Sequence, residues 1–228
     1  MKAVVFDVDF TLARPGPDLG AEGYCRVASR HGLALDASRY DDARRAAFDA
    51  LERHPELDYD EGIWVLFTQR ILEGMAGDIG PYKDIDTYDA AVELTRAWET
   101  AAHFELYDDV LDTLALLRSR GLKIGLLSNR VGVLDDFVVH HALNVDAHLT
   151  SSVHGKTKPH ASIFKRLLAA LQVEPDEAVM VGDTLEDDIE GARAIGMRAI
   201  LLDRAGRHPG VPGRLESLRE LPAALALD

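Results

Sequence analysis

Basic residues are scarce in this 228-residue chain: 25 Lys+Arg face 39 Asp+Glu, for a formal net charge of −14. Nucleic-acid binding rests on basic surface that neutralises phosphates, so the balance argues against a polyanion partner. Cysteine is nearly absent. Cys25 stands alone, which leaves no intramolecular disulfide and no thiolate metal cluster, and fits a reducing cytoplasm. Long apolar runs are missing as well: none reaches eighteen residues, so no membrane span is expected. With Asp7 already acidic there is no basic-then-apolar leader, and the expectation is a soluble, untargeted, cytoplasmic protein. Aromatic residues make up only 7%, and Trp64 and Trp98 suit helix packing better than a base-stacking platform. What is present, 47% hydrophobic and 28% charged residues, is an ordinary globular composition in a length that suits one large domain or two small ones.

The chain is organised around its first twelve residues. Residues 2–6 form a short, β-rich apolar run that delivers Asp7-Val8-Asp9-Phe10-Thr11-Leu12 onto its end. A run apolar on both faces reads as a central strand, so the two carboxylates emerge at the rim of a sheet, where open α/β sheets bind ligands. One unprotonated carboxylate and one that shuttles a proton suit nucleophilic and acid–base chemistry.

After the Pro15-Gly16-Pro17 break, residues 14–105 read as a helical insertion. The periodicity predicts helices over 20–31, closed by Gly32; 37–53; 61–73, closed by Gly74; and 88–101. This stretch holds 10 Lys+Arg against 19 Asp+Glu, so most of the negative charge sits here. Beyond Tyr107 the pattern alternates. Helices are predicted over 108–120, with Val110, Leu111, Leu114 and Leu117 on one face and Gly121 as a cap, and over 132–143, 160–171 and 187–195. Strands are predicted over 122–127, 147–151, 178–181 and 198–202, and residues 206–213 as a loop. Alternation with short connections implies right-handed crossovers: an α/β, doubly wound parallel sheet, Rossmann-like, over 1–13 and 106–228, interrupted by a helical cap at 14–105.

Three further motifs fall at strand ends of that sheet: Ser128, Lys158 in Gly155-Lys156-Thr157-Lys158-Pro159, and Gly182-Asp183-Thr184-Leu185-Glu186-Asp187-Asp188. Together with Asp7-Val8-Asp9-Phe10-Thr11 they make the chain resemble the haloacid dehalogenase superfamily, whose motifs are D-x-D-x-T, Ser or Thr, Lys before Pro, and G-D-x(3,4)-[ND]-D. The insertion is similar to the helical cap of the subfamily that includes phosphoglycolate phosphatase-like hydrolases.

The residue chemistry can be stated independently of that resemblance. Asp7 suits attack on phosphorus, forming an aspartyl-phosphate. Asp9 suits protonation of the leaving alcohol and then deprotonation of water. Ser128, with Asn129 beside it, suits a phosphoryl oxygen, and Lys158 adds fixed positive charge. Thr11, Asn129 and Arg14 are the candidate substrate contacts, Arg14 as the insertion's cation nearest the nucleophile in sequence. Asp7, Asp9, Asp183 and Asp188 against Lys158 alone would repel a phosphate bearing roughly two negative charges unless a divalent ion intervened, and oxygen-only ligands favour Mg²⁺. The resemblance implies Asp7, Asp183 and the backbone carbonyl of Asp9 as its ligands, with Asp188 holding Lys158 and Asp187 standing where many relatives carry Asn. His140, His141 and His154 lack partners at ligand spacing.

The expected activity is Mg²⁺-dependent hydrolysis of a small-molecule phosphate monoester by a monomer or homodimer, with no nucleic-acid or membrane partner. A sugar phosphomutase is the alternative, since it shares both aspartates. A dehalogenase fits less well because Asp9 is present, and a phosphonate-cleaving enzyme less well again, because the insertion offers only Lys83 as a Schiff-base lysine.

Overall fold

The structure, a computed structural model, describes residues 1–77 and 86–227; Lys83 lies outside the described residues. The chain divides into two compact units, one of Met1–Arg14 with Glu105–Asp228 and one of Pro15–Phe104. In chain order the strands are β1 (Ala3–Phe6), β2 (Ala13–Pro15), β3 (Phe104–Leu106), β4 (Lys123–Ser128), β5 (Ala147–Thr150), β6 (Ala178–Gly182) and β7 (Arg198–Leu201). β2 and β3 form a two-stranded sheet, and the other five form a parallel sheet in the order β5-β4-β1-β6-β7.

β1 is central because all four of its side chains are apolar and buried. Val5 pairs with Gly125 on one side and Met180 on the other, so the ends of β1, β4 and β6 lie abreast. The chain runs from β1 outward one way to β5, then returns for β6 and β7. The strand order therefore reverses beside β1, the place where such sheets gather a site.

The inserted unit carries α1 (Ala21–Arg30), α2 (Tyr40–Asp49), α3 (Glu61–Ala76) and α4 (Tyr88–Ala97), packed around Tyr24, Ala28, Ile71, Leu72, Met75 and Leu94. Gly74 does not end α3. It lies within the helix, where a Cβ would come 2.6 Å from Ala43 Cβ, and so permits α2 and α3 to touch; Gly77, at φ 64°, is the stop. α2 and α4 are shorter than their periodicity suggests, ending at Asp49 and Ala97.

The sheet unit continues with α5 (Val110–Ser119), α6 (Asp135–His140), α7 (Ser151–His154), α8 (Ala161–Leu171), α9 (Gly191–Ala194) and α10 (Leu221–Ala224). α8 packs on the sheet through Ile163, Phe164, Leu167 and Leu171, and Gly125 admits it: a Cβ there would lie 2.9 Å from Leu171 Cδ1. On α5 the buried face is Val110, Thr113, Leu114 and Leu117, while Leu111, about 100° round the helix from Val110, lies to one side of that stripe and points outward at 53% exposure. The helix expected over 132–143 contracts to α6. The one expected over 187–195 begins instead as a wide π turn, Leu185–Glu190, before α9. Among the described residues no helix is long and apolar enough to cross a membrane.

One buried carboxylate ties the tail to this unit. Asp109 accepts from Arg204 Nη2 and Nη1 at 2.7 and 2.9 Å, from Ser217 Oγ at 2.7 Å and from the Leu218 amide at 2.9 Å. Burial opposes its ionisation, but these donors outweigh burial and hold the carboxyl below its usual value. Asp109→Ala is expected to lower the unfolding free energy by about 3–5 kcal/mol, because it leaves a largely buried guanidinium without its carboxylate and a buried amide without its acceptor. Urea denaturation measures this, and a loss under about 1 kcal/mol, the level of an exposed ion pair, would show that Asp109 is not a structural anchor.

Candidate active site

The ends of β1, β4 and β6 and the loop after α7 bring Asp7, Asp9, Ser128, Lys158, Asp183 and Asp188 together. Asp7 continues β1, its amide donating to Val181 O at 2.9 Å. Three residues on, Phe10 sits at φ 64°, left-handed backbone that a bulky side chain adopts at a cost of about 1–3 kcal/mol. Its amide donates to Ala13 O at 2.6 Å and closes a tight turn. Within this bend Ser128 Oγ donates to Asp9 Oδ2 at 3.2 Å.

Lys158 is the hub. Its side chain is 1% exposed, and Nζ donates to Asp7 Oδ1 at 2.6 Å, Asp188 Oδ1 at 2.7 Å and Leu127 O at 3.0 Å, which uses all three ammonium protons. Asn129 sets the backbone that carries it: Oδ1 accepts from Lys158 N at 2.7 Å, and Nδ2 donates to Lys158 O at 3.0 Å and to Asp187 Oδ2 at 3.3 Å. Asp188 is aimed by the π turn, in which the amides of Asp188 and Ile189 both donate to Thr184 O at 3.0 and 3.3 Å. Its Oδ2 accepts from the Thr184 amide at 3.1 Å. Gly182 makes room for it, since a Cβ there would stand 2.3 Å from Asp188 Cγ.

Several sequence candidates occupy other places. Arg14 lies on exposed Glu105 at 3.2 Å and near the Tyr107 ring. Thr11 is fully buried, and its carbonyl accepts from Arg204 at 3.0 and 3.1 Å, so it belongs to the frame of the turn and not to the accessible rim. The Asn129 side chain is spent on Lys158 and Asp187 and so serves to position them. Two cations join the acids from positions outside the sequence motifs. Buried Arg130 places Nη1 3.8 Å from Asp9 Oδ1, and Arg207 Nη2 donates to Asp183 Oδ2 at 2.7 Å. Arg130 directly follows Ser128-Asn129, which was a readable signal; Arg207 lies 24 residues beyond Asp183 in a loop and carried none.

Burial pushes the Asp7 carboxyl up to about 7; Lys158 opposes the rise, while Asp188 and Asp9 add to it. Burial also raises Asp183 to about 6, helped by Asp7 and opposed by Arg207, and raises Asp188 to about 6 against the pull of Lys158. Lys158 is raised too: its two carboxylates overcome a burial that alone would lower it. The cluster thus holds its buried lysine firmly and ionises its acids reluctantly, the mark of surplus negative charge in a poorly solvated place. One oxygen from each of Asp7, Asp183 and Asp188 lies within 4.8 Å of the others. Hard oxygen donors with surplus charge fit a divalent cation of the Mg²⁺ type. Asp188 uses both oxygens on the buried Lys158 ammonium and the Thr184 amide, whereas Asp183 takes only the Thr184 hydroxyl on Oδ1 at 3.2 Å and the exposed Arg207 on Oδ2, which leaves Asp7 and Asp183 as the side chains best able to turn to an ion.

The folded chain keeps the Asp7 proton to about pH 7, whereas an unfolded chain releases it near 3.8. That proton favours folding fully below about pH 4, and the advantage is lost as pH climbs towards about 7. In EDTA, Asp7→Asn is therefore expected to gain stability relative to wild type as pH rises through this window. Urea denaturation at several pH values reads the difference, and a difference independent of pH would mean that Asp7 is ionised throughout.

Comparison with known proteins agrees with this architecture. Residues 1–196 match the family model of haloacid dehalogenase-like hydrolases. The chain is 32% identical to a phosphoserine phosphatase of Thermus thermophilus across the full length of both proteins. It is 30% identical to a ribulose-1,5-bisphosphate 5-phosphatase of Halopiger xanaduensis, covering 88% of this chain and 84% of that one. Among solved structures, a HAD phosphatase from Thermococcus onnurineus superposes with a TM-score of 0.65 at 26% identity, over 99% of this chain and 98% of its own. The chain belongs to the haloacid dehalogenase-like hydrolases.

Proposed function

We propose that the chain is a Mg²⁺-dependent phosphatase that hydrolyses small phosphate monoesters through an aspartyl-phosphate on Asp7. The observation that carries this reading is the buried Lys158 joining Asp7 to Asp188, with Asp9 two residues from Asp7 and held by Ser128. The relatives named above act on phosphate esters, which supports the reaction type.

A carboxylate oxygen of Asp7 attacks phosphorus as the bond to the ester oxygen breaks, and Asp9 gives its proton to the departing alkoxide. Water then attacks the acyl phosphate, Asp9 takes a proton from it, and inorganic phosphate leaves with Asp7 restored. Lys158 fixes the orientation of Asp7, and Ser128 fixes that of Asp9. A divalent ion held by Asp7 and Asp183 would supply the positive charge that keeps the nucleophile ionised and offsets the charge of the transferring group. We assign the choice of ester to the inserted helical unit, as a cap over the site. Its chain leaves just after Asp9 and returns just before α5.

The test is inorganic phosphate release from p-nitrophenyl phosphate and a panel of small phosphate monoesters. Excess EDTA is expected to stop release and added Mg²⁺ to restore it. Asp7→Asn is expected to abolish turnover, and Asp9→Asn to slow it about 10²–10⁴-fold, the usual value of a positioned proton donor. Undiminished hydrolysis in EDTA would overturn the metal assignment. Turnover that survives in Asp7→Asn would overturn the nucleophile, and conversion of a sugar phosphate without phosphate release would make the chain a mutase.

A further inference from the structure

Asp183 differs from Asp7 and Asp188 in what neutralises it. Lys158 serves the latter two from a fully buried position, but Asp183 Oδ2 takes Arg207 Nη2 at 2.7 Å from a side chain that is 54% exposed. The loop that presents Arg207 is built for the purpose. Leu202 donates its amide to Gly182 O at 2.8 Å, so the end of β7 lies beside the end of β6. Next comes buried Asp203, which accepts from the amides of Arg207 at 2.7 Å and His208 at 2.8 Å. The backbone at Arg207 is thereby fixed next to Asp183, while the guanidinium reaches it through a single nitrogen and stays in contact with water. A contact of that kind is cheap to break, unlike the three bonds that hold Lys158.

We propose that Arg207 is a displaceable counter-ion of Asp183 and sets how tightly the site takes its divalent cation: the ion gains Asp183 by driving the guanidinium off Oδ2. The inference rests on the metal reading above. Its physical basis is that two cations on one carboxylate repel each other, and that the guanidinium has solvent to move into. The opposite role, a supporting partner that stays on the ligand and orients it, makes the opposite prediction, because loss of such support typically weakens metal binding 10–100-fold. The sign of the change in affinity separates the two.

The experiment is calorimetric titration of Mg²⁺ into EDTA-stripped, full-length wild type, Arg207→Gln and Arg207→Lys, with thermal melts of each in EDTA and in saturating Mg²⁺. Arg207→Gln is expected to bind Mg²⁺ about two- to fivefold more tightly, the range set by an exposed ion pair, and Arg207→Lys about as wild type. The Gln variant is expected to melt below wild type in EDTA and level with it in Mg²⁺. Unchanged or weaker Mg²⁺ binding by Arg207→Gln overturns the inference, as does a melting deficit of equal size in both conditions. Absence of Mg²⁺ binding in wild type would overturn instead the metal assignment beneath it.

Discussion

An ammonium group sealed inside a protein is tolerated only when every proton finds an acceptor, since the effective cost of an unpaired buried charge is several kcal/mol. Lys158 meets that condition with atoms from three directions: Asp7 beyond β1, the Leu127 carbonyl in β4 and Asp188 beyond β6. The lysine itself arrives from the loop between α7 and α8. No pair of these segments is adjacent in sequence, so the acceptors exist only when the parallel sheet has formed in its proper order. Fold and site are therefore set by one interaction, and the strand order around β1 is what makes that interaction possible.

The architecture was legible because its causes are local and repetitive. Residues 3–6 and 178–181 are uniformly apolar and became buried strands; Gly121 and Gly196 stop helices with left-handed backbone. What failed to show was decided by contacts between distant segments. Gly74 looked like a stop and is a point of close approach to Ala43; Leu111 looked like core and faces water. The acids and Lys158 were legible as strand-end residues, because the end of a strand is a position that sequence can specify. Arg14, by contrast, is near Asp7 only along the chain, and its side chain pairs with Glu105. The uses of Asn129 and Arg207 depend on which loop lies beside which strand, information that no short stretch of sequence contains.

Charge follows two separate rules in this molecule. Over the whole chain acidic residues prevail by 39 to 25, a net charge of −14 that keeps the surface hydrated. Around the strand ends the cations are few and individually placed: Lys158 between two aspartates, Arg130 beside Asp9, Arg207 on Asp183, and Arg204 stacked 4.0 Å from the centre of the Tyr107 ring. Such local compensation is what allows an acidic protein to concentrate four carboxylates in one small region without coming apart.

The clamp between Asn129 and both backbone polar groups of Lys158 bears on how this chain could be redesigned. An amide side chain that reads a neighbour's N–H and C=O together reproduces a strand pairing in miniature, and a carboxylate in its place would keep the accepting half and lose the donating one. Asn129, Lys158, Gly182 and Asp188 therefore form a block that mutagenesis can keep or discard but cannot retune stepwise. Libraries aimed at new esters would do better to leave that block alone and to draw their diversity from the inserted helices, which pack around a core of their own.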